Sequence, residues 1–371
     1  MQDSQAEAQL IAIYRLIGQA RTREALAQAE QLVQSHPNFQ LAQLVLGDLL
    51  SAQARPVRAL GDMPDTLAKA GAATLADLRD ESQMRLKALR ERPPAGAIPS
   101  QFVGLSSRNR HAIAVDASRS RLYLFENTAQ GLQLIADYYI SVGQSGIEKN
   151  TEGDLRTPLG VYFITSNLDP KSLTDFYGVG ALPINYPNPY DLRSGRSGSG
   201  IWLHGTPSGQ YARAPKSTNG CVVMANPDLA HIVRTVEIRS TPVVIASQLQ
   251  WVPPTAVQAE RGSFEQTLQA WRAAKASGDV NAVLPYYTSD FNSYGKPLAE
   301  WLPILRSDMA KLKGRGLDLK DISVLQWKDR AETMVVTFGE VVAGAQSGVT
   351  RRQYWMRVGA QWKIFFEGVI G

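Results

Sequence analysis

The chain has 371 residues, too many for one ordinary hydrophobic core, so two or three domains are expected. Hydrophobic residues make up 44% and charged residues 20%, which excludes a disordered chain, and no stretch has the apolar length of a membrane span. The net charge of +5 suits an anionic polymer, but no dense Lys/Arg stripe with interleaved aromatics is present, so nucleic acid is not expected as a partner.

Met1-Gln2-Asp3-Ser4 lacks the basic and apolar regions of a signal peptide, so the expectation is either a cytoplasmic protein or a processed form with a start Met added. Residues 1–92 read as a helical domain. Leu10, Ile13, Tyr14 and Ile17 make one helical stripe, and Leu26, Ala29 and Val33 make a second. His36-Pro37-Asn38 breaks the pattern, and Leu41, Leu44, Val45 and Leu49 resume it. One helix, breaker, helix unit is too little for a tetratricopeptide array, so a packing or dimerisation arm is the expected role.

Two prolines and a glycine in 92–99 read as a linker. The period then changes to that of strands. Residues 112–115 and 121–126 form a hairpin pattern around Asp116-Ala117-Ser118-Arg119, and 132–142, 160–165, 201–204 and 241–246 are further strand candidates. Residues 167–200 are rich in Pro, Gly, Tyr, Asn and Ser, and so long an irregular region is expected to form a lid or substrate wall. A short helix is expected over 227–236. Trp251-Val252-Pro253-Pro254 reads as a second linker. In 262–371 a helix with Phe264, Leu268, Trp271 and Ala274 on one face precedes a proline break. Alternating strands follow at 333–341, 351–358 and 361–367, with Gly359-Ala360 as a turn. The fold class expected is therefore multidomain α+β: a helical arm, a β-rich centre and an α+β C-terminal unit.

Cys221 is the only cysteine, which removes an internal disulfide and makes a zinc site a poor reading. A nucleophile or an inert buried thiol remains. The preceding Ser217-Thr218-Asn219-Gly220 turn favours the nucleophile, because core cysteines are normally flanked by apolar residues on both sides. A thiol nucleophile needs a base, an orienter and oxyanion donors. His204 ends an apolar run seventeen residues upstream and is the candidate base, pairing with Cys221 as thiolate and imidazolium. The backbone N–H groups of the Asn219-Gly220-Cys221 turn are candidate oxyanion donors, and a carbonyl near Gly205 the candidate orienter. His36, His111 and His231 read as ordinary core or surface histidines. Arg193, Arg196, Arg213 and Lys216 read as solvated loop charges or as receivers of a substrate carboxylate.

These residues carry a resemblance. His204 followed by the Ser/Thr-X-Gly-Cys turn resembles the signature of the YkuD-type L,D-transpeptidases. Arg156-Thr157-Pro158-Leu159-Gly160 is similar to that family's Thr-Pro-X-Gly strand, and Gly200-Ile201-Trp202-Leu203-His204-Gly205 to its His strand. The resemblance covers residues 108–247. Tyr354-Trp355-Met356-Arg357 and Trp362-Lys363-Ile364 in 262–371 resemble an NTF2-like domain, expected to bind substrate or a partner, or to mediate a homodimer.

The resemblance implies an enzyme of peptidoglycan stem peptides in the periplasm, its signal peptide removed, with no cofactor and no metal. Cys221 would form a thioester at an L-centre and expel terminal D-alanine, and His204 would act as base and then acid. Gly220 and Cys221 N–H groups would hold the oxyanion, and the Gly205 carbonyl would orient His204. The implied substrate-binding residues are Thr218, Asn219, Trp202, Tyr186, Arg196 and Arg213. The family base rate favours transfer of the acyl group to an amine. Trimming to tripeptides, release of wall-bound lipoprotein and a catalytically dead scaffold are the alternatives. Asn219 and Val223 stand where the family commonly has His and Arg or Asn, and the segments 176–178 and 182–188 resemble a subgroup of lipoprotein-detaching and cell-shape trimming enzymes.

Overall fold

A computed structural model describes residues 2–312 and 314–370, so Met1, where the leader reading begins, lies outside the described residues. A two-residue strand, β1 (Gln2–Asp3), leads into α1 (Gln5–Gly18), α2 (Thr22–Ser35), α3 (Gln40–Ser51), α4 (Asp65–Ala70) and α5 (Ala72–Arg90). Leu10, Ile13, Ala29, Leu41, Val45 and Leu49 are buried in a core of the helices' own, whereas Ile17 is 40% exposed and lies off the expected stripe. His36-Pro37-Asn38 separates α2 from α3, because proline removes a helix hydrogen bond and its ring clashes with the preceding turn. No helix among the described residues is long and apolar enough to cross a membrane.

Strands β2 (Ile98–Pro99), β3 (Phe102–Gly104), β4 (His111–Asp116), β5 (Arg121–Thr128), β6 (Gly131–Gly143) and β7 (Gly160–Phe163) follow. The irregular stretch holds β8 (Ala181–Pro183) and α6 (Pro189–Arg193). Next come β9 (Trp202–His204), β10 (Lys216–Thr218), β11 (Val222–Met224), α7 (Asn226–Thr235) and β12 (Pro242–Ala246). One sheet runs β7-β12-β4-β5-β6-β11-β9-β8, with β1 and β10 also paired to β6. The expected hairpin is β4–β5, in register from His111↔Glu126 to Asp116↔Arg121.

Neither proline-rich stretch is a free linker. Strand β13 (Trp251–Val252), inside the second, pairs antiparallel with β2, inside the first. Proline is tolerated on such two-stranded edges because one side needs no donor. The C-terminal unit contains α8 (Gln258–Ala276), α9 (Val280–Val283), β14 (Asn292–Ser293), β15 (Lys296–Pro297) and α10 (Leu298–Lys311). Strands β16 (Leu317–Lys328), β17 (Glu332–Val342), β18 (Val349–Val358) and β19 (Gln361–Val369) complete it. The expected proline break contains a full helix, α10, with Pro303 inside it. Strand β3, from before the central sheet, adds to β16, so the C-terminal sheet runs β19-β18-β17-β16-β3.

Candidate active site

Strands β9 and β11 lie side by side and parallel, with Leu203 opposite Val222 and His204 opposite Val223. Leu203 and Val222 point into the core and are fully buried. Alternation then turns His204, and Cys221 just before β11, to the opposite face. Both line a cavity of about 240 Å³ together with Phe176, Tyr177, Arg213 and Asn219. The two residues that chemistry couples are thus neighbours on one face of one ladder.

The Nδ1 of His204 lies 2.7 Å from the carbonyl oxygen of Gly205. A carbonyl only accepts, so Nδ1 carries the proton and Nε2 keeps a lone pair for the cavity. Burial, opposed by this hydrogen bond and helped by the Arg213 charge, brings the imidazole pKa down to about 4. Burial also pushes the Cys221 thiol up, against an amide hydrogen bond from Trp202 and the charges of Arg213 and Lys149. Both shifts favour the neutral forms. Burial thus works against the expected thiolate–imidazolium pair, because it penalises both charged species.

The turn before Cys221 is self-bonded. Thr218 Oγ1 donates to the Cys221 carbonyl at 2.7 Å and accepts from the Gly220 N–H at 3.1 Å. The Gly220 N–H is therefore spent inside the turn, and of the two expected oxyanion donors only the Cys221 amide is retained. Gly220 has φ +122°, and a Cβ there would sit 2.6 Å from the Arg156 carbonyl oxygen. Only glycine fits. Thr157, from the Thr-Pro-X-Gly stretch, is fully buried and donates to the Gly220 carbonyl at 2.9 Å.

The remaining sequence candidates separate. Asn219 is at the exposed rim, 3.4 Å from Gln144 Nε2. Arg213 is half-buried, its guanidinium 4.8 Å from the Phe176 ring centroid, and its Nε is buried without an acceptor. Trp202 packs on Tyr177 at 4.9 Å, behind the cavity wall. Tyr186 and Arg196 are not brought to the cavity. Tyr186 is a core residue whose hydroxyl donates to the Ser197 carbonyl. Arg196 is taken by Asp191 at 2.9 Å and by Asp329 of the C-terminal unit at 3.0 Å, so its charge is spent at the domain seam. Arg193 likewise pairs with Asp290, and Lys216 is exposed. His111 bonds Glu237, His231 bonds Tyr138, and His36 bonds Ser35.

The irregular stretch, expected as a lid or substrate wall, supplies two rings to the site, and two further side chains, Lys149 and Asn226, carry no expectation from the sequence. Phe176 and Tyr177, from the irregular stretch, stand 5.8 and 5.1 Å from the His204 ring. Buried Lys149 lines the cavity while donating to Thr151 O and Asp154. Asn226, at the start of α7, takes the Val179 and Thr206 N–H groups on its Oδ1 and donates to the Thr206 carbonyl. That side chain pins the segment carrying the Gly205 carbonyl. An Asn at a helix start is a capping signal, but its reach across the fold has no sequence mark.

Comparison with known proteins agrees with this geometry. Residues 110–245 match the YkuD family, described as the L,D-transpeptidase catalytic domain, and residues 263–368 match the Cds6 C-terminal NTF2-like domain. Bd1075 from Bdellovibrio bacteriovorus has the same fold, with TM-score 0.61 and 24% identity over 74% of this chain and 98% of that one. Pgp2 from Campylobacter jejuni, described as a helical cell shape determining protein, gives TM-score 0.55 and 18% identity over 79% and 99%. No curated protein sequence matches the chain.

Proposed function

Because the chain joins a YkuD L,D-transpeptidase catalytic domain to a Cds6 C-terminal NTF2-like domain, we propose that it is an L,D-carboxypeptidase of the periplasm that trims peptidoglycan stem tetrapeptides to tripeptides. The observation that carries the choice of hydrolysis over transfer is the cavity. At about 240 Å³ it is below the roughly 300–1,000 Å³ of common small-molecule sites. Phe176 and Tyr177 narrow it beside His204, as two of its lining residues. A water fits such a space beside an acyl group; the amine of a second stem peptide needs a positioned channel of its own. A part in cell shape, as described for Pgp2, belongs to the same proposal.

In this mechanism His204 Nε2 takes the Cys221 thiol proton as sulfur attacks the carbonyl carbon of the L-centre residue. The carbonyl electron pair moves to oxygen, facing the Cys221 N–H. Collapse breaks the peptide bond, and the imidazolium gives its proton to the departing D-alanine amine. Water then attacks the thioester, losing a proton to His204, and the acid is released as sulfur recovers that proton. Arg213, half-buried at the cavity and in no ion pair among the described residues, would hold a substrate carboxylate.

Incubation with tetrapeptide muropeptides and mass spectrometry tests the reading. Tripeptides alone are expected, and Cys221→Ala or His204→Ala should each lower turnover at least about a thousandfold. Crosslinked dimers would establish transfer instead, an unchanged product profile from Cys221→Ala would sink the Cys221 mechanism, and no product from the wild type would leave a non-catalytic scaffold.

A further inference from the structure

The seam between the catalytic and NTF2-like domains contains a groove of about 560 Å³, lined from both sides. Its floor is aromatic: Tyr354, Phe365 and Phe366. Its lips are Leu192 of α6, 61% exposed, and Tyr294 of the β14–β15 turn, 74% exposed. Single exposed apolar residues are ordinary. Two lining one groove over an aromatic floor make a continuous apolar surface, the kind that marks a binding site.

Arg352 of β18 also lines the groove and is 94% buried, as its 6% exposure shows. Its guanidinium stacks 3.3 Å from the Phe163 ring centroid, and its Nε donates to Thr337 Oγ1 at 2.9 Å. The other buried arginines, Arg85, Arg121 and Arg351, each pair with carboxylates. Arg352 has no carboxylate partner among the described residues, and burial pulls its pKa down to about 10. The one aspartate lining the groove, Asp290, is held by Arg193 at 2.6 Å. A buried cation without a counter-charge is costly, and a guanidinium fork matches a carboxylate in shape.

We propose that this groove is a second binding site, taking a short peptide whose free carboxylate meets Arg352 while an adjoining apolar side chain lies between Leu192 and Tyr294. The exposed Asn292, whose Oδ1 accepts the Gly295 N–H at 2.8 Å, keeps its side-chain amide N–H groups for a peptide carbonyl, which favours a peptide over a fatty acid. The occupant this chemistry fits is the C-terminus of a protein, because the methyl and charged side chains of a stem tetrapeptide offer nothing apolar enough to fill the space between Leu192 and Tyr294.

The test uses full-length Cys221→Ala protein and the backbone amide resonances of residues 292–295 and 352–354. Probes are the stem tetrapeptide, the all-L peptide Ala-Gln-Leu-Ala, the C-terminal amide of that peptide, and laurate. Shifts are expected with Ala-Gln-Leu-Ala and should vanish on amidation; shifts with the stem tetrapeptide alone would overturn the assignment to a protein C-terminus. Arg352→Gln should weaken binding on the order of tenfold or more, and Tyr294→Ala, at an exposed position, by less. If Arg352→Gln does not fold, Tyr294→Ala and the amide carry the test. A groove silent to both peptides at millimolar concentration, equal binding of the amide, or binding of laurate alone would overturn the proposal. Wild-type trimming of tetrapeptides beside a silent groove would sink this inference and leave the catalytic reading standing.

Discussion

The helices at the N-terminus and the NTF2-like domain are attached to the same catalytic domain by different physics. The helices keep a core of their own, which receives only Tyr211, Ala212 and Ala225 from the catalytic side. Their junction is ionic. Arg85 bonds Glu7 at 2.9 Å and Glu81 at 2.8 Å, and Arg121 bonds Glu7 at 2.9 Å and Asp137 at 2.6 Å, all buried. Burial would raise the Glu7 carboxyl, but Arg121 and Arg85 hold it down at about 2. The NTF2-like domain instead shares one apolar core with the catalytic sheet: Tyr123, Phe125 and Phe163 pack with Phe102, Leu325, Tyr354 and Phe365. It also borrows β3 as a strand. A junction of paired charges has a stable exposed alternative in water; a shared core and a shared sheet do not.

That contrast can be broken most decisively by truncation. A chain ending at residue 261 leaves half of the shared core uncovered and is expected not to yield soluble folded protein. A chain beginning at residue 93 is expected to purify with a cooperative melt, since Arg121 and Asp137 retain each other. The reverse outcome would invert the comparison.

Substitution sharpens it. Arg85→Ala leaves Glu81 buried without its cation and Glu7 with Arg121 alone, and should cost about 3–5 kcal/mol in denaturant unfolding. Replacing Glu7, Glu81 and Arg85 together by apolar residues of similar volume should be near neutral, because the desolvation cost leaves with the charges. Phe102→Ala, in the shared core, should also cost about 3–5 kcal/mol, with no compensating triple change available.

A smaller effect reaches the site. Phe39 stacks on Tyr211 at 4.3 Å, and the Tyr211 N–H donates to the Asn38 carbonyl, so the helix breaker braces the loop two residues before Arg213. Phe39→Ala should raise KM several-fold with kcat nearly unchanged, as expected when binding is loosened and chemistry is not. An equal fall in kcat would mean that the helices act on Cys221 or His204 directly.

The smallest effect is one of pH. Burial, then the Glu7 charge, pushes the Asp228 carboxyl at this junction up to about 7. A folded pKa above the unfolded value means that the folded state holds the proton longer. Asp228 therefore takes stability away as pH rises from about 4 to about 7. Asp228→Asn should raise the melting temperature at pH 8 and change it little at pH 4. The opposite order would show that a counter-charge reaches the carboxylate.

Much of the site was written locally. Gly220 before the thiol, the run ending at His204 and the buried Thr157 follow from the steric demands of neighbouring residues, and so do the helical stripes. The roles of Gly220 N–H and Arg196 were not. One depends on which way the Thr218 hydroxyl turns, and the other on Asp329, which reaches Arg196 only when two domains meet. Prolines at 93–99 and 253–254 truthfully signalled that helices stop, yet composition cannot tell a free linker from a paired edge.

The sequence alone thus determined most of the elements and singled out Cys221 and His204 as candidates, because backbone preferences and side-chain periodicity act over a few residues. Only the tertiary structure decided that burial disfavours charge on both groups, that β3 belongs to a distant sheet and that Arg352 is buried without a carboxylate among the described residues. Desolvation and long-range pairing depend on what surrounds a group in space, and no local pattern encodes that.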